Sequence, residues 1–192
     1  MKSGNATKDK IERAALHLFA EVGVDGTSMR DIAREAGISL GAIYNHYESK
    51  DELAWAIFSE AWGSIADEMR AVARPCQGIR AKLRAIIAFV FSMFESDPDL
   101  VRFLFFQRHR NLPRVRLGVS NPYFVFRGLI HNAMIHDEVP ERDPDVAASM
   151  VMGAIIQTID TVLLGRIDRD PLDLIEDVTD GTLRLLSHRL AE

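Results

Sequence analysis

The chain has 192 residues and a formal net charge of −5, with 47% hydrophobic and 27% charged residues. This balance is typical of a globular protein with a buried core, and it excludes the disordered and membrane classes. The single cysteine, Cys76, allows no internal disulfide, and residues 1–10 lack the apolar run of a signal peptide. No uninterrupted apolar stretch reaches the length of a membrane span. We therefore expect a cytoplasmic protein with no membrane partner.

The first predicted helix begins after a capping residue, Asn5 or Thr7, and ends at Gly23. Its apolar residues recur at helical spacing and form one face, which should pack on the two helices that follow. These residues are Ile11, Ala14, Ala15, Leu18, Phe19 and Val22.

Residues 28–47 predict two short helices separated by a turn. In the first, Ser28 and Asp31 form a variant of the capping box, and Gly37 supplies a left-handed stop. Ser39 can cap the second helix, about residues 40–46, which has few residues that require burial and several polar ones. A short helix with polar side chains at its tip fits the major groove of DNA. The stretch therefore predicts a helix-turn-helix.

The remaining chain predicts further helices and no strands. Ser49 and Glu52 form a capping box before a fourth helix that has two apolar stripes and extends to about Ala73. Four later helices begin with Asp or Asn followed by Pro, a favourable pair at a helix start. The predicted ranges are 79–96, 97/98–110, 121/122–136, 143/144–166 and 170/171–190. No run alternates with a period of two, so the fold class is all-α, with about nine helices.

The motif residues between positions 7 and 58 resemble the TetR family of bacterial transcriptional regulators. The residues that carry this resemblance are Phe19, Gly23, Thr27–Ala33, Ala36–Ser39, Gly41, Ile43–Tyr44, His46–Tyr47, Ser49–Lys50 and Leu53. The resemblance implies a homodimer that binds a palindromic operator in double-stranded DNA and is switched by a small molecule. It also implies an N-terminal DNA-binding domain, 1–53, and a C-terminal effector-binding and dimerisation domain, 54–192.

Carried over by position, the resemblance places Thr27, Ser28 and Arg30 on a supporting helix at the DNA backbone, and residues 39–46 on the recognition helix. Two residues have alternatives: Tyr47 as an aromatic core residue, and His46 as a solvated histidine at a helix end. Leu40 departs from the polar or basic residue that is common in the family. The predicted DNA-binding residues are Thr27, Ser28, Arg30, Ser39, Leu40, Gly41, Ala42, Tyr44, Asn45, His46, Tyr47 and Lys50.

Residues 1–50, which include the predicted helix-turn-helix, have no net charge, because they hold seven basic and seven acidic side chains. The rest of the chain carries the whole net charge of −5. An acidic body disfavours nonspecific binding along DNA, so affinity should depend on a few placed contacts.

Eight of the ten phenylalanines lie between residues 89 and 126. This concentration predicts an apolar cavity between the fifth, sixth and seventh helices that binds a lipophilic or aromatic effector. The alternative is a filled core. His131 and His136 are five residues apart, a poor spacing for a metal site, so we expect neither metal nor cofactor. The predicted pocket residues are Phe89, Met93, Phe103, Phe106, His109, Phe124, His131, Gln157 and Thr161.

Arg108, Arg110, Arg114 and Arg116 form a basic cluster near the end of the sixth helix. The cluster has two interpretations: cations that complement the helix dipole, or groups that bind an anionic effector such as a carboxylate or an acyl-coenzyme A.

The last two predicted helices have more apolar surface than one protomer requires, which predicts a homodimer, as the resemblance also implies. The predicted interface residues are Ala147, Val151, Ile155, Ile159, Val162, Leu174, Val178 and Leu186.

The sequence has no glycine-rich phosphate loop and no nucleophile elbow, so we do not expect an enzyme. We expect a sequence-specific regulator, in the first instance a repressor that a small effector releases from its operator. The alternative is a DNA-binding dimer of the same fold that blocks DNA without an effector.

Overall fold

The computed structural model describes residues 3–115 and 120–187, which are mainly helical and include no strand. The all-α prediction is confirmed. By their contacts the residues divide into two compact units. The first unit contains Met1–Ala61 and Asp97–Leu117, and the second contains Trp62–Ser96 and Gly118–Glu192.

The first unit contains four complete helices and the beginning of a fifth. Gly23 has φ 78° and ψ 163°, so the helix is interrupted at its predicted end and helical hydrogen bonding resumes as far as Gly26. The elements are α1 (Ser3–Gly26), α2 (Met29–Ala36), α3 (Leu40–Tyr44), the start of α4 (Lys50–Ala73), α6 (Pro98–Asn111) and a 3₁₀ turn, Leu112–Arg114.

The core of the first unit forms where α1 packs against α2 and α6. The rings of Phe19 and Phe103 stack with centroids 5.8 Å apart. Ile11, Ile43 and Phe58 are fully buried, and burial of each such side chain contributes about 1.5–3 kcal/mol. Helix α6 thus packs against α1. The sequence analysis instead expected this helix to line a cavity with the fifth and seventh helices. The division into DNA-binding and effector functions at residues 53/54 stays a prediction.

The second unit contains the rest of α4 together with α5 (Gly78–Ser96), α7 (Pro122–Ile135), α8 (Pro144–Leu163), a 3₁₀ turn (Pro171–Leu174) and α9 (Ile175–Ser187). Helix α8 packs between α7 and α9, and α9 also packs against α5. The Asp/Asn–Pro starts are confirmed as caps, because each acidic or amide side chain accepts a backbone hydrogen bond from the first turn.

Two predicted boundaries were wrong. Helix α8 ends at Leu163 rather than Arg166, because Gly165 takes a left-handed φ of 65°. The N–H of Arg166 donates to the carbonyl of Thr161 at 3.0 Å, and that of Gly165 to Val162 at 2.9 Å, which is a glycine-terminated helix end. After Asp170 the chain forms a 3₁₀ turn before α9 begins at Ile175.

Helix α8 is the one helix among the described residues that is long and apolar enough to resemble a membrane span. Its best window has a mean hydropathy of 1.6, yet only 28% of that window is buried. The apolar run is not uninterrupted, because α8 contains Gln157 and Asp160. Length and composition alone do not distinguish a membrane span from the core helix of a globular protein.

Candidate nucleic-acid interface and effector region

Local hydrogen bonds fix both ends of α2. The Ser28 hydroxyl accepts from the N–H of Asp31 at 3.2 Å, and the N–H of Ser28 donates to the Asp31 carboxylate at 3.1 Å. The Ser28 hydroxyl also donates to this carboxylate at 2.6 Å, and that bond, followed by the one from the Ser28 N–H, holds the pKa of Asp31 below its ordinary value. Gly37, with φ 66°, ends the helix, and the N–H of Ile38 donates to the carbonyl of Ala33 at 3.1 Å. The turn that positions α3 is therefore specified by the sequence itself.

Helix α3 is anchored on one side and open on the other. The Ser39 hydroxyl accepts from the N–H of Ala42 at 3.2 Å and caps the helix. Ile43 is fully buried, whereas Tyr44 is 51% exposed and both Asn45 and His46 are exposed. The buried isoleucine holds the helix to the first unit while the polar groups point outward. This is the arrangement that a helix needs if it is to insert into a groove of DNA.

The other predicted contacts surround α3. Arg30, Ser39 and Gly41 are exposed, and Leu40 and Ala42 are half-buried. The ammonium of Lys50 donates to the carbonyls of Thr27 at 2.6 Å and Asp25 at 3.4 Å. Because an ammonium has three donors, one remains for a phosphate oxygen. Lys50 thus links the first turn of α4 to the turn before α2.

Two predicted DNA contacts have structural roles instead. Thr27 is 3% exposed, and its hydroxyl donates to the carbonyl of Gly23 at 2.8 Å, so its side chain stabilises the turn. Tyr47 is 5% exposed and its hydroxyl donates to Glu12 at 2.5 Å. Burial, followed by this bond, raises the pKa of Tyr47. The core alternative for Tyr47 is therefore correct, and neither hydroxyl hydrogen is available to a phosphate.

The nine predicted pocket residues do not lie together in one unit. Phe103, Phe106 and His109 belong to the first unit, where Phe103 is a core residue and Phe106 is 62% exposed. The other six belong to the second unit. There Met93 is buried, Phe89 and Phe124 are half-buried, and His131 and Gln157 are exposed. Thr161 donates to the carbonyl of Gln157 at 2.6 Å, a bond within α8.

Most of the predicted interface residues are already covered within one protomer. Val162 and Val178 are half-buried, and the other six are buried. Buried side chains cannot also contact a partner, so those six are corrected to core residues: Ala147, Val151, Ile155, Ile159, Leu174 and Leu186. The opposite face of α8 remains uncovered in the single chain.

This uncovered face of α8 follows helical spacing. Its exposed apolar residues are Val146 at 55%, Met150 at 39% and Leu164 at 58%. Gly153 and Gln157 continue the same stripe, and a Cβ built on Gly153 meets nothing within 4 Å. These residues recur every three or four positions, whereas the interface residues predicted from the sequence lie mainly on the covered face of the same helix.

Helix α3, with its buried anchor and exposed polar tip, and the capped turn before it define the class as helix-turn-helix DNA-binding proteins. The sequence profile described as "Bacterial regulatory proteins, tetR family" matches residues 11–57. The HTH-type transcriptional regulator UidR of Escherichia coli K12 is 30% identical over 180 residues, covering 92% of this chain and 80% of the relative. The chain therefore belongs to the tetR family and is a DNA-binding transcriptional regulator.

Two solved structures share the fold. The fatty acid degradation regulator FadR of Bacillus halodurans has a TM-score of 0.85 at 21% identity, covering 95% of this chain and 97% of that one. FadR of Bacillus subtilis, solved in complex with stearoyl-CoA, has a TM-score of 0.77 at 22% identity, covering 95% and 99%. At these identities the likeness establishes the fold, and the ligand belongs to the Bacillus subtilis protein.

Proposed function

We propose that the protein is a cytoplasmic homodimeric repressor that binds a palindromic operator and is released by a lipophilic effector. The observation that carries DNA binding is the exposed tip of α3, formed by Tyr44, Asn45 and His46 beside the buried Ile43. A phenol, an amide and an imidazole supply hydrogen-bond donors and acceptors to phosphates and base edges. Two such helices in a dimer would read half-sites about one helical turn, or a multiple of it, apart.

The experiment for DNA binding begins with selection of operator sequences from a random DNA pool by the purified protein. Fluorescence anisotropy then measures the affinity of the selected duplex at fixed salt, because phosphate contacts make the affinity salt-dependent. We expect Tyr44→Ala and His46→Ala each to lower affinity by about tenfold, since one contact contributes about 1–3 kcal/mol. His136→Ala is the matched control, because His136 is exposed and lies in the second unit. Wild-type affinity in both recognition-helix variants would refute the proposed interface.

The uncovered face of α8 supports the homodimer. Val146, Met150 and Leu164 are large apolar residues that a single chain leaves in water, and they lie on one stripe. Gly153 lies within the stripe with open space above it, so a second helix could approach closely. A symmetric dimer would place the same stripe of each protomer against its twin. The mean hydropathy of α8 then reflects two buried faces, one in the core and one in the interface.

The effector is proposed to bind among the aromatic helices of the second unit. Support comes from half-buried Phe89 on α5 and Phe124 on α7, and from the buried Met93 on α5. The stearoyl-CoA complex of the Bacillus subtilis neighbour makes long-chain acyl-CoA the first compound to test. We expect stearoyl-CoA to lower the affinity of the protein for its selected operator, and stearate and coenzyme A serve as separate controls.

A matched pair of variants locates the effector. Phe89→Ala and Phe124→Ala should weaken the response to the effector without changing operator affinity in its absence. Phe106→Ala is the control, because Phe106 is an exposed phenylalanine of the first unit. If a panel of fatty acids, acyl-CoAs and aromatic compounds leaves operator affinity unchanged, the effector-independent DNA-binding dimer becomes the better interpretation.

A further inference from the structure

The first unit contains a cleft of about 450 Å³ that the proposed function does not use. Its walls come from the end of α1, the first turn of α4, the last turns of α6 and the 3₁₀ turn that follows. Two arginines, Arg110 and Arg114, and two amide residues, Gln107 and Asn111, supply its polar lining, with one acid, Asp51. The lining residues thus include two cations and one anion, and a second anion, Asp25, lies against Arg110.

The guanidinium N–H groups of Arg114 donate to no other residue in the part of the chain that the structure describes. Its guanidinium carbon lies 4.3 Å above the ring centre of Trp55, so the aromatic face holds the cation in place. Within residues 3–115 and 120–187 it makes no hydrogen bond and no ion pair. Stacking uses the flat face of a guanidinium and leaves its N–H groups, which lie in the plane, free to donate. Arg114 is therefore a positioned donor that lacks an anion.

Arg110 has partners that a ligand can replace. Its guanidinium contacts Asp25 at 3.2 Å and Asp51 at 3.1 Å. The two acids are 92% and 64% exposed, so water screens both pairs, and such surface pairs contribute only about 0–1 kcal/mol. An oxyanion that enters the cleft can exchange with one carboxylate at little cost. Arginine is suited to this because its fork binds carboxylate and phosphate groups with two parallel hydrogen bonds.

The floor of the cleft is apolar. Val24 is 2% exposed and Ala54 is 6% exposed, and both line the cavity. The volume also lies within the range of about 300–1,000 Å³ that is usual for small organic ligands. A bare inorganic ion would leave most of this space and the apolar floor unused. The geometry therefore fits an anion with an organic body.

We propose that this cleft is a binding site for a small organic oxyanion, with its carboxylate or phosphate group on Arg110 and Arg114 and its body against Val24 and Ala54. Every lining residue of the site belongs to the first unit, and none of them is among the proposed effector residues of the second. It contacts the turn before α2 through Asp25, and the first turn of α4 through Asp51. Both acids lie close in sequence to Ser28 and Lys50, so binding in the cleft would affect the chain beside two of the predicted DNA-binding residues.

The test titrates the full chain with four probes in calorimetry at constant ionic strength. Acetate and octanoate present a carboxylate without and with an apolar body, and inorganic phosphate and phenyl phosphate present the same comparison for phosphate. We expect one of the two organic probes to bind at least tenfold more tightly than its bare counterpart. The tighter of the two organic probes identifies the anionic group. If neither binds more tightly than the bare ions, the proposal is overturned.

Variants locate the binding. Arg114→Gln should weaken the better probe at least tenfold, and Arg114→Lys, which keeps the charge without the fork, should weaken it less. Arg169→Gln is the control, since Arg169 is also an exposed arginine but is paired to Asp177 and lies in the second unit. Equal binding by wild type and Arg114→Gln would place the probe elsewhere and overturn the proposal.

Tryptophan fluorescence provides a second measurement of binding that is independent of calorimetry. The chain has two tryptophans, so Trp62→Phe leaves Trp55 as the single emitter beside Arg114. Binding of the better probe should change its emission with the same dissociation constant that calorimetry gives. A response that matches that of sodium chloride at equal ionic strength would contradict a specific site.

Discussion

The outward faces of α3 and α8 differ although both helices are anchored by buried isoleucines. Helix α3 exposes Tyr44, Asn45 and His46 around one fully buried side chain, Ile43. Helix α8 exposes Val146 and Met150, and buries a complete second apolar face. Hydrogen-bonding groups remain favourable in water until DNA replaces it, whereas apolar groups gain free energy only when another surface covers them. Exposed polar groups on α3 therefore favour contact with DNA, whereas exposed apolar groups on α8 favour contact with a second protein surface.

The largest expected effect comes from placing charge on the apolar face. Val146→Asp combined with Met150→Asp should convert the proposed dimer to a monomer, because a buried unpaired charge costs several kcal/mol. Sedimentation at micromolar concentration measures the loss of the dimer. Operator affinity should fall by at least a hundredfold, because the two helix-turn-helix motifs are then no longer linked. Val22→Asp is the matched control, since Val22 is 60% exposed but lies on α1. Unchanged sedimentation of the double variant would show that α8 is not the interface.

The second effect tests the anchor of α3. Ile43→Ala should lower the free energy of unfolding by about 2–5 kcal/mol, because the side chain is fully buried and its loss leaves a cavity. Chemical denaturation measures this loss, and operator binding should weaken with it. Tyr44→Ala provides the comparison: it should reduce operator binding while the unfolding midpoint remains that of wild type. Equal loss of stability in both variants would mean that Tyr44 belongs to the core.

The third effect compares two glycines. Gly37→Ala should cost about 1 kcal/mol, because the left-handed φ of 66° disfavours a side chain. Gly153→Ala should instead stabilise the helix by up to about 1 kcal/mol, because the added Cβ has open space in a helical backbone. Thermal unfolding at dilute and concentrated protein separates this gain from any effect on the dimer. A stabilised Gly37→Ala variant would contradict the turn geometry.

The smallest effect concerns a pair between α1 and α6 in the first unit. His17 lies 2.9 Å from Asp99, and this hydrogen bond raises the pKa of the imidazole. Because the charged form is favoured in the folded state, the stabilisation is complete below the unfolded pKa of about 6.5 and is lost as pH rises through the raised value. Asp99→Asn should therefore be less stable than wild type at pH 5.5, by less than about 1 kcal/mol for so exposed a pair, and equal to it at pH 8.5.

Short-range capping patterns in the sequence specified most of the helix-turn-helix at residues 28–47. Ser28 and Asp31, Gly37 and Ser39 each act within four residues of their own position, so capping rules located α2, the turn and α3 correctly. The same rules located four later helix starts. They failed for the end of α8, where Gly165 was not recognised as the terminating residue.

Sites that depend on long-range packing were not predictable in the same way. Tyr47 and Glu12 are 35 residues apart, and Phe19 stacks on Phe103 from a helix expected in the other domain. The apolar periodicity of α8 was visible, but two of its faces are apolar, and only contact with α7 and α9 shows which is covered. The cleft of Arg110 and Arg114 likewise requires α1, α4 and α6 together.

The sequence by itself determined the helical class, the capped helix-turn-helix and the membership of the tetR family, because each rests on short-range patterns. The tertiary structure decided which of the predicted DNA-binding side chains remain exposed. It committed Thr27 and Tyr47 to internal hydrogen bonds and left Tyr44 and His46 exposed. It also decided which face of α8 remains uncovered. The physical reason is that burial and hydrogen-bond partnership depend on residues distant in the chain, whose approach no local pattern specifies.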